Sequence, residues 1–94
     1  ADGKIDFHNR TRDIYNLIRG VAAPFPGAFA VCRGKEVRVW TAHPFDEMID
    51  FSAYAPGEVI DVFDEKPVVR TVDGSLLIDR YESSLELKAG DILE

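Results

Sequence analysis

Apolar positions along this chain change their period once, near residue 24. Before that point Ile14, Leu17, Ile18 and Val21 recur at i, i+3, i+4 and i+7, which lines one face of a helix. Asn9-Arg10-Thr11 reads as the start, with Thr11 as N-cap, and Asp13 places a negative charge in the first turn, where the helix dipole favours it. Pro24 ends the run, because the residue before a proline is pushed out of the helical region. The pattern predicts a helix over about 11–22. Ahead of it, Ile5 to Phe7 reads as a short strand or an extended lead-in.

From Gly27 the period becomes two. Ala28 to Cys32 reads as a strand, and Arg33-Gly34 as a tight hairpin. In KEVRVWTAH the alternation puts Val37, Val39 and Thr41 on one face and Arg38, Trp40 and Ala42 on the other. Pro44 to Pro56 forms a longer connection, closed by a turn at Pro56-Gly57. Glu58 to Phe63 alternates again, with Val59 and Ile60 facing opposite ways. Asp64-Glu65-Lys66-Pro67 supplies the next turn. Val68 to Val72 and Leu76 to Tyr81 are strands around Asp73-Gly74, a type I′ hairpin signal. Asp91 to Leu93 is placed to close the sheet. One helix and five or six short strands joined by tight turns predict a mainly β domain, a small antiparallel barrel with an N-terminal helix.

Length and composition agree with a single packed domain. The chain has 94 residues, 46% of them hydrophobic, enough for one core and not two. No apolar run reaches the length of a membrane span. The opening ADGKIDF lacks a basic region followed by an apolar one, so no leader is expected there. It also lacks an initiator Met, and the expectation is an excerpt of a longer protein. The single cysteine, Cys32, excludes an internal disulfide and sits in an apolar strand run, which favours a buried thiol and a cytoplasmic setting.

The net charge of −6 is uneven. Residues 1–40 hold seven Lys/Arg against four Asp/Glu, and residues 41–94 hold four against thirteen. An acidic domain repels phosphate, which disfavours nucleic acid, although the basic residues near the helix can form a local patch.

The residue inventory is poor in chemistry. His8 and His43 lie 35 positions apart, and neither has a metal-ligand neighbour at a useful spacing. No serine sits in a nucleophile elbow, and the scattered glycines form neither a phosphate loop nor a dinucleotide fingerprint. No catalytic, cofactor-binding or metal-binding residue is expected. Phe29, Trp40, Tyr54 and Tyr81 could serve as stacking platforms for bases, but they fit strand positions equally well and the second half has the wrong charge.

Several short motifs then occur in a telling order. IDF at 5–7, IYNLIRG at 14–20, PFPGAF at 24–29, KEVRVWTA after Gly34, PGEVIDV at 56–62, TVDGSLLIDRYE and KAGDIL together resemble the C-terminal domain of the folate-dependent formyltransferases. The resemblance covers nearly the whole chain. It implies an open barrel of the oligonucleotide-binding type carrying one helix. It also implies that the catalytic Asn, His and Asp, together with the 10-formyltetrahydrofolate site, belong to a preceding domain, so no catalytic residue is carried over. Family members acting on initiator methionyl-tRNA use this domain to help hold the tRNA through a basic surface. The acidic balance here, and the spacing from Arg19 to Pro24, are similar instead to the sugar-amine formyltransferases. Phe25 stands where Trp is frequent in the family, and Gly20 where Ala is.

The reading that follows is a non-catalytic domain that packs on its own catalytic domain and shapes the cleft for an amino-sugar nucleotide. Two alternatives stand beside it: a tRNA-holding domain of a methionyl-tRNA formyltransferase, and an independent barrel that binds a partner. The residues expected at the domain interface are Asn16, Arg19, Pro24, Phe25, Pro26 and Gly27. Asn16 and Arg19 share one side of the helix. Their simpler roles are a bond from Asn16 to the nearby turn and the charge of Arg19 at the helix C-terminus.

Overall fold

The computed structural model describes residues 3–20, 27–45 and 53–94. Helix α1 runs Thr11–Gly20, followed by strands β1 (Ala28–Cys32), β2 (Lys35–Pro44), β3 (Val59–Phe63), β4 (Lys66–Arg70) and β5 (Ser75–Ser83). The strands form one antiparallel sheet in the order β1-β2-β5-β4-β3. Ile14 and Ile18 of α1 are buried, together with Val37, Val39, Val59, Val69, Leu76 and Ile78 of the strands. These side chains form one core, and the expected mainly β architecture stands.

The five strands leave the sheet open, with β1 and β3 at its edges. One short C-terminal segment is hydrogen-bonded to both edges. Val31 and Glu94 exchange backbone bonds at 2.9 and 2.7 Å on the β1 side. On the β3 side the Val59 N–H donates to Asp91 O at 2.7 Å, and the Leu93 N–H donates to Gly57 O at 2.8 Å. Leu93 is buried between them. The segment expected to close the sheet therefore links its two ends, and it blunts edges that would otherwise invite pairing with other chains. Lys4 forms a parallel bridge with Phe29, so the lead-in shares the edge of β1.

Two-residue turns at positive φ join two of the hairpins. Arg33 and Gly34 have φ of 51° and 78°, the pairing of two left-handed residues that a tight hairpin needs. Asp64 and Glu65, at 52° and 66°, do the same between Phe63 and Lys66. The turn is thus shorter than the sequence pattern gave, and Lys66 and Pro67 belong to β4.

Four other expectations change. Trp40 is an extra residue in β2, because Val39 pairs with Tyr81 and Thr41 with Arg80. The alternation flips there, so Thr41 is exposed and Ala42 buried. Ile60 is likewise extra in β3, since Val59 pairs with Val69 and Asp61 with Val68, and both Val59 and Ile60 face inward. Bulges of this kind bend a strand and re-aim its side chains. The Asp73-Gly74 turn is not type I′. Neither residue has positive φ, and Thr71–Gly74 forms a longer loop closed by the Thr71 N–H to Gly74 O bond at 2.9 Å.

The fourth change concerns the start of the helix. The Ile14 N–H donates to Arg10 O, so Arg10 holds the cap position and Thr11 the first helical one. An arginine side chain cannot accept a hydrogen bond. Asp73 supplies the acceptor instead: its Oδ1 takes the Thr11 N–H at 2.8 Å and the Thr11 hydroxyl at 2.8 Å. At its other end α1 is described to Gly20, and the expected residues 21–22 lie outside the described residues.

Candidate functional site

Two surfaces carry exposed polar chemistry. The first is the outer side of α1. With Ile14 and Ile18 buried, residues at i, i+4 and i+7 on the opposite side are Arg12, Asn16 and Arg19, and all three are exposed. The Arg19 guanidinium lies 5.4 Å from the centroid of the Tyr15 ring, a cation–π contact that orients it along the helix. Arg10 and Arg12 have no ion pair among the described residues. Asn16 and Arg19 therefore share a face, as expected, and Arg12 joins them. Sequence reasoning passed over Arg12, although its position four residues before Asn16 carries the same signal.

The remaining interface candidates divide. Pro24, Phe25 and Pro26 lie outside the described residues. Gly27 is buried at φ 84°. A β-carbon there would meet Trp40 Cζ3 at 3.0 Å, so Gly27 is the flat seat of the Trp40 ring. That ring in turn donates its Nε1 proton to Glu82 Oε1 at 3.1 Å.

The second surface is an open groove of about 1070 Å³ beside the β2–β5 ladder, rimmed on one side by the β3–β4 turn. Glu36, Asp64, Glu65, Asp79, Glu82 and Glu86 line it against three cations, Arg38, Lys66 and Arg80. Val62, Tyr81, Leu85 and Leu87 supply its apolar lining. Arg38 stands directly opposite Glu82 across the ladder. Its Nη2 donates to Glu36 Oε2 at 2.6 Å, while Nη1 is fully buried and has no acceptor among the described residues. The Tyr81 hydroxyl accepts the Leu87 N–H at 3.2 Å. No sequence signal marks this groove, because its walls come from β2, the β3–β4 turn and β5.

The other expected positions behave as structure. Cys32 is buried and free. His8 is exposed beside Asp6, whose carboxyl is held below its ordinary value chiefly by the His8 backbone N–H at 2.9 Å. His43 ends β2 and bonds Asp79 through Nδ1 at 2.8 Å. The Ser75 hydroxyl donates to Phe45 O at 2.9 Å. Phe29, Trp40, Tyr54 and Tyr81 are each half-buried, and none of them rises as an open platform.

The chain is an open antiparallel sheet laced by one short segment at residues 91–94, with one docked helix. The chain belongs to the formyl transferase C-terminal domain family, whose model matches residues 1–93. It is 31% identical over 96 residues to methionyl-tRNA formyltransferase of Ruminiclostridium cellulolyticum, a match spanning 97% of this chain and 29% of that protein. It is 36% identical over 80 residues to the enzyme of the same name from Clostridioides difficile, spanning 85% of this chain and 25% of that one. The chain thus spans well under a third of these relatives. Among solved structures, HypX from Aquifex aeolicus, determined in complex with tetrahydrofolic acid, superposes with a TM-score of 0.71 at 26% identity, over 87% of this chain and 14% of that chain.

Proposed function

We propose that this chain is the non-catalytic C-terminal domain of a formyltransferase of the methionyl-tRNA kind, and that the outer side of α1 helps hold the tRNA for the catalytic domain. The observation that carries the reading is the exposed Arg12-Asn16-Arg19 side of the helix, with Arg10 beside it. The relatives' names support the tRNA acceptor over the amino-sugar nucleotide expected from sequence. That preference rested on net charge and on the Arg19-to-Pro24 spacing. Net charge loses its force once the charges are located: the groove collects six of the carboxylates, while the helix side presents cations. Local fields, and not the sum over the chain, steer a phosphate backbone. The formyl donor, 10-formyltetrahydrofolate, belongs in this reading to the catalytic domain, and the carboxylate-rich groove has the wrong sign for a folate's glutamate tail. The setting is cytoplasmic, where tRNA is charged.

The test is steady-state kinetics of the complete formyltransferase carrying Arg12→Ala and Arg19→Ala together. KM for methionyl-tRNA should rise roughly five- to twentyfold, and the salt dependence of log KM should weaken by about 1.5, as expected for two lost phosphate contacts. kcat and the melting temperature should hold. An unchanged KM, or turnover of an amino-sugar nucleotide in preference to methionyl-tRNA, would overturn the proposal.

A further inference from the structure

The exposed residues on the outer side of α1 are not held alike. Arg19 follows the buried Ile18, and its guanidinium rests 5.4 Å from the centroid of the Tyr15 ring. Asn16 stands between Ile14 and Ile18, the two buried residues of the helix. Arg12 lacks both supports. It has no ion pair or ring contact among the described residues. It also precedes Ile14, the first residue of the helix to enter the core, and from His8 to Asp13 no residue is buried. Between Phe7 and Ile14 the chain therefore crosses the surface without an apolar anchor. A first turn in this position frays unless something outside the helix meets its N–H groups, because they have no partner within it.

The bonds that tie this stretch to the sheet go to the β4–β5 loop. Asp73 Oδ1 accepts the Thr11 N–H and the Thr11 hydroxyl, each at 2.8 Å, from a position 62 residues away in sequence. The Thr11 hydroxyl also meets that of Thr71, which is fully buried. The Val72 N–H donates to Asn9 O at 3.4 Å. One carboxylate thus fixes the residue immediately before Arg12. Its charge is of no help to a phosphate there, since a carboxylate beside the arginine repels it. What Asp73 supplies to that surface is geometry.

We propose that Asp73 is a positioning residue for Arg12: by capping α1 it holds the first turn, and the Arg12 guanidinium with it, where that arginine meets the tRNA backbone, and it leaves Arg19 unaffected. This rests on the tRNA reading of the helix side. KM for methionyl-tRNA is measured with the complete formyltransferase carrying Arg12→Ala, Arg19→Ala or Asp73→Ala, and Asp73→Ala combined with each arginine change. Asp73→Ala should raise KM about two- to fourfold, the share of one phosphate contact in the loss given above for two. It should add nothing once Arg12 is gone, and should keep its full factor in the Arg19→Ala background. A general loss of stability would raise KM alike in every background. kcat should hold throughout.

Asp73→Asn separates geometry from charge. It keeps the acceptor oxygen and loses the charge, so it should restore KM to the parent value or below. Were charge the whole effect, Asp73→Ala and Asp73→Asn would both lower KM, and that result overturns the proposal. So does an Asp73→Ala effect that is absent, or as large without Arg12 as with it, or a KM that rises with Arg19→Ala and not with Arg12→Ala; these leave the tRNA reading in place. If neither arginine change raises KM, the tRNA reading itself falls and takes the proposal with it. Should Asp73→Ala not fold, Thr11→Val decides. It removes the hydroxyl's bonds to Asp73 and Thr71 and touches no charge; KM should rise about twofold with Arg12 present, and an unchanged KM overturns the claim.

Discussion

Replacing Gly57 with alanine should damage this domain far more than a surface turn substitution normally does. Gly57 has φ 86°, a backbone conformation that costs a residue with a β-carbon about 1–2 kcal/mol. A β-carbon there would also stand 2.3 Å from Leu93 O, a backbone atom of the segment that closes the sheet. No side-chain rotation relieves a clash with backbone. The segment must move, and the Leu93 N–H to Gly57 O bond at 2.8 Å goes with it, removing roughly 1 kcal/mol more. The sum is about 2–3 kcal/mol, against a total stability on the order of 5–15 kcal/mol for a domain of this kind. At roughly 4–8 °C per kcal/mol for a chain this short, the melting temperature should fall by about 8–24 °C. Gly34→Ala is the control. Its φ of 78° is similar, but nothing lies within 4 Å of the added carbon, so it should lose only the conformational part of about 1–2 kcal/mol, about 4–16 °C, and melt above Gly57→Ala. Thermal unfolding followed by circular dichroism measures both. If Gly57→Ala melts within a few degrees of Gly34→Ala, the closing segment does not bear on the edge of β3 as described.

The cap of α1 makes two further outcomes measurable. Asp73→Ala should destabilise the domain by about 1 kcal/mol, as lost helix caps do, with the melting temperature as the readout. The Thr11 backbone N–H, and after it the Thr11 hydroxyl, hold the Asp73 carboxyl below its ordinary value of 3.8. Its contribution is therefore complete above that value and is lost as pH falls through the lower folded-state value; between pH 5 and 2, Asp73→Asn should lose stability less steeply than the parent, and equal slopes would contradict the assignment. Glu65→Gly should act in the opposite direction, because Glu65 sits at φ 66° in a two-residue turn. Removing the β-carbon there should raise stability by about 0.5–1 kcal/mol, and a lower denaturation midpoint would refute it.

What could be read from sequence was what depends on near neighbours. The helix was legible because Ile14 and Ile18 obey its period and go to the core. The Arg33-Gly34 hairpin was legible because two residues suffice to define it. The faces of β2 and β3 were legible only up to Trp40 and Ile60. An extra residue in a strand is defined by the partner's register, and nothing local to KEVRVWTAH announces it. Asp73 was read as a turn residue, when its carboxylate caps a helix that begins 62 positions earlier. Asn16 and Arg19 were placed on one side of the helix by spacing alone, and they lie there exposed. The groove was invisible for the reason the cap was: Arg38, Lys66 and Tyr81 come to line it only after β2, β4 and β5 are assembled.

The closing segment also bears on the order in which this domain can be made. Its bonds join Val31 to Glu94 and Gly57 to Leu93, so the last described residues complete contacts begun by the first strand. Contacts between positions so far apart form slowly, because a long loop must close before any of them rewards the chain. During synthesis the helix can form early, but Asp73 cannot cap it until the β4–β5 loop has emerged. The edge of β3, and that of β1 beyond Phe29, stay unpaired until residues 90–94 leave the ribosome. The domain therefore passes through a stage with most of its strands present and both sheet edges at least partly bare, and the lifetime of that stage sets its exposure to aggregation.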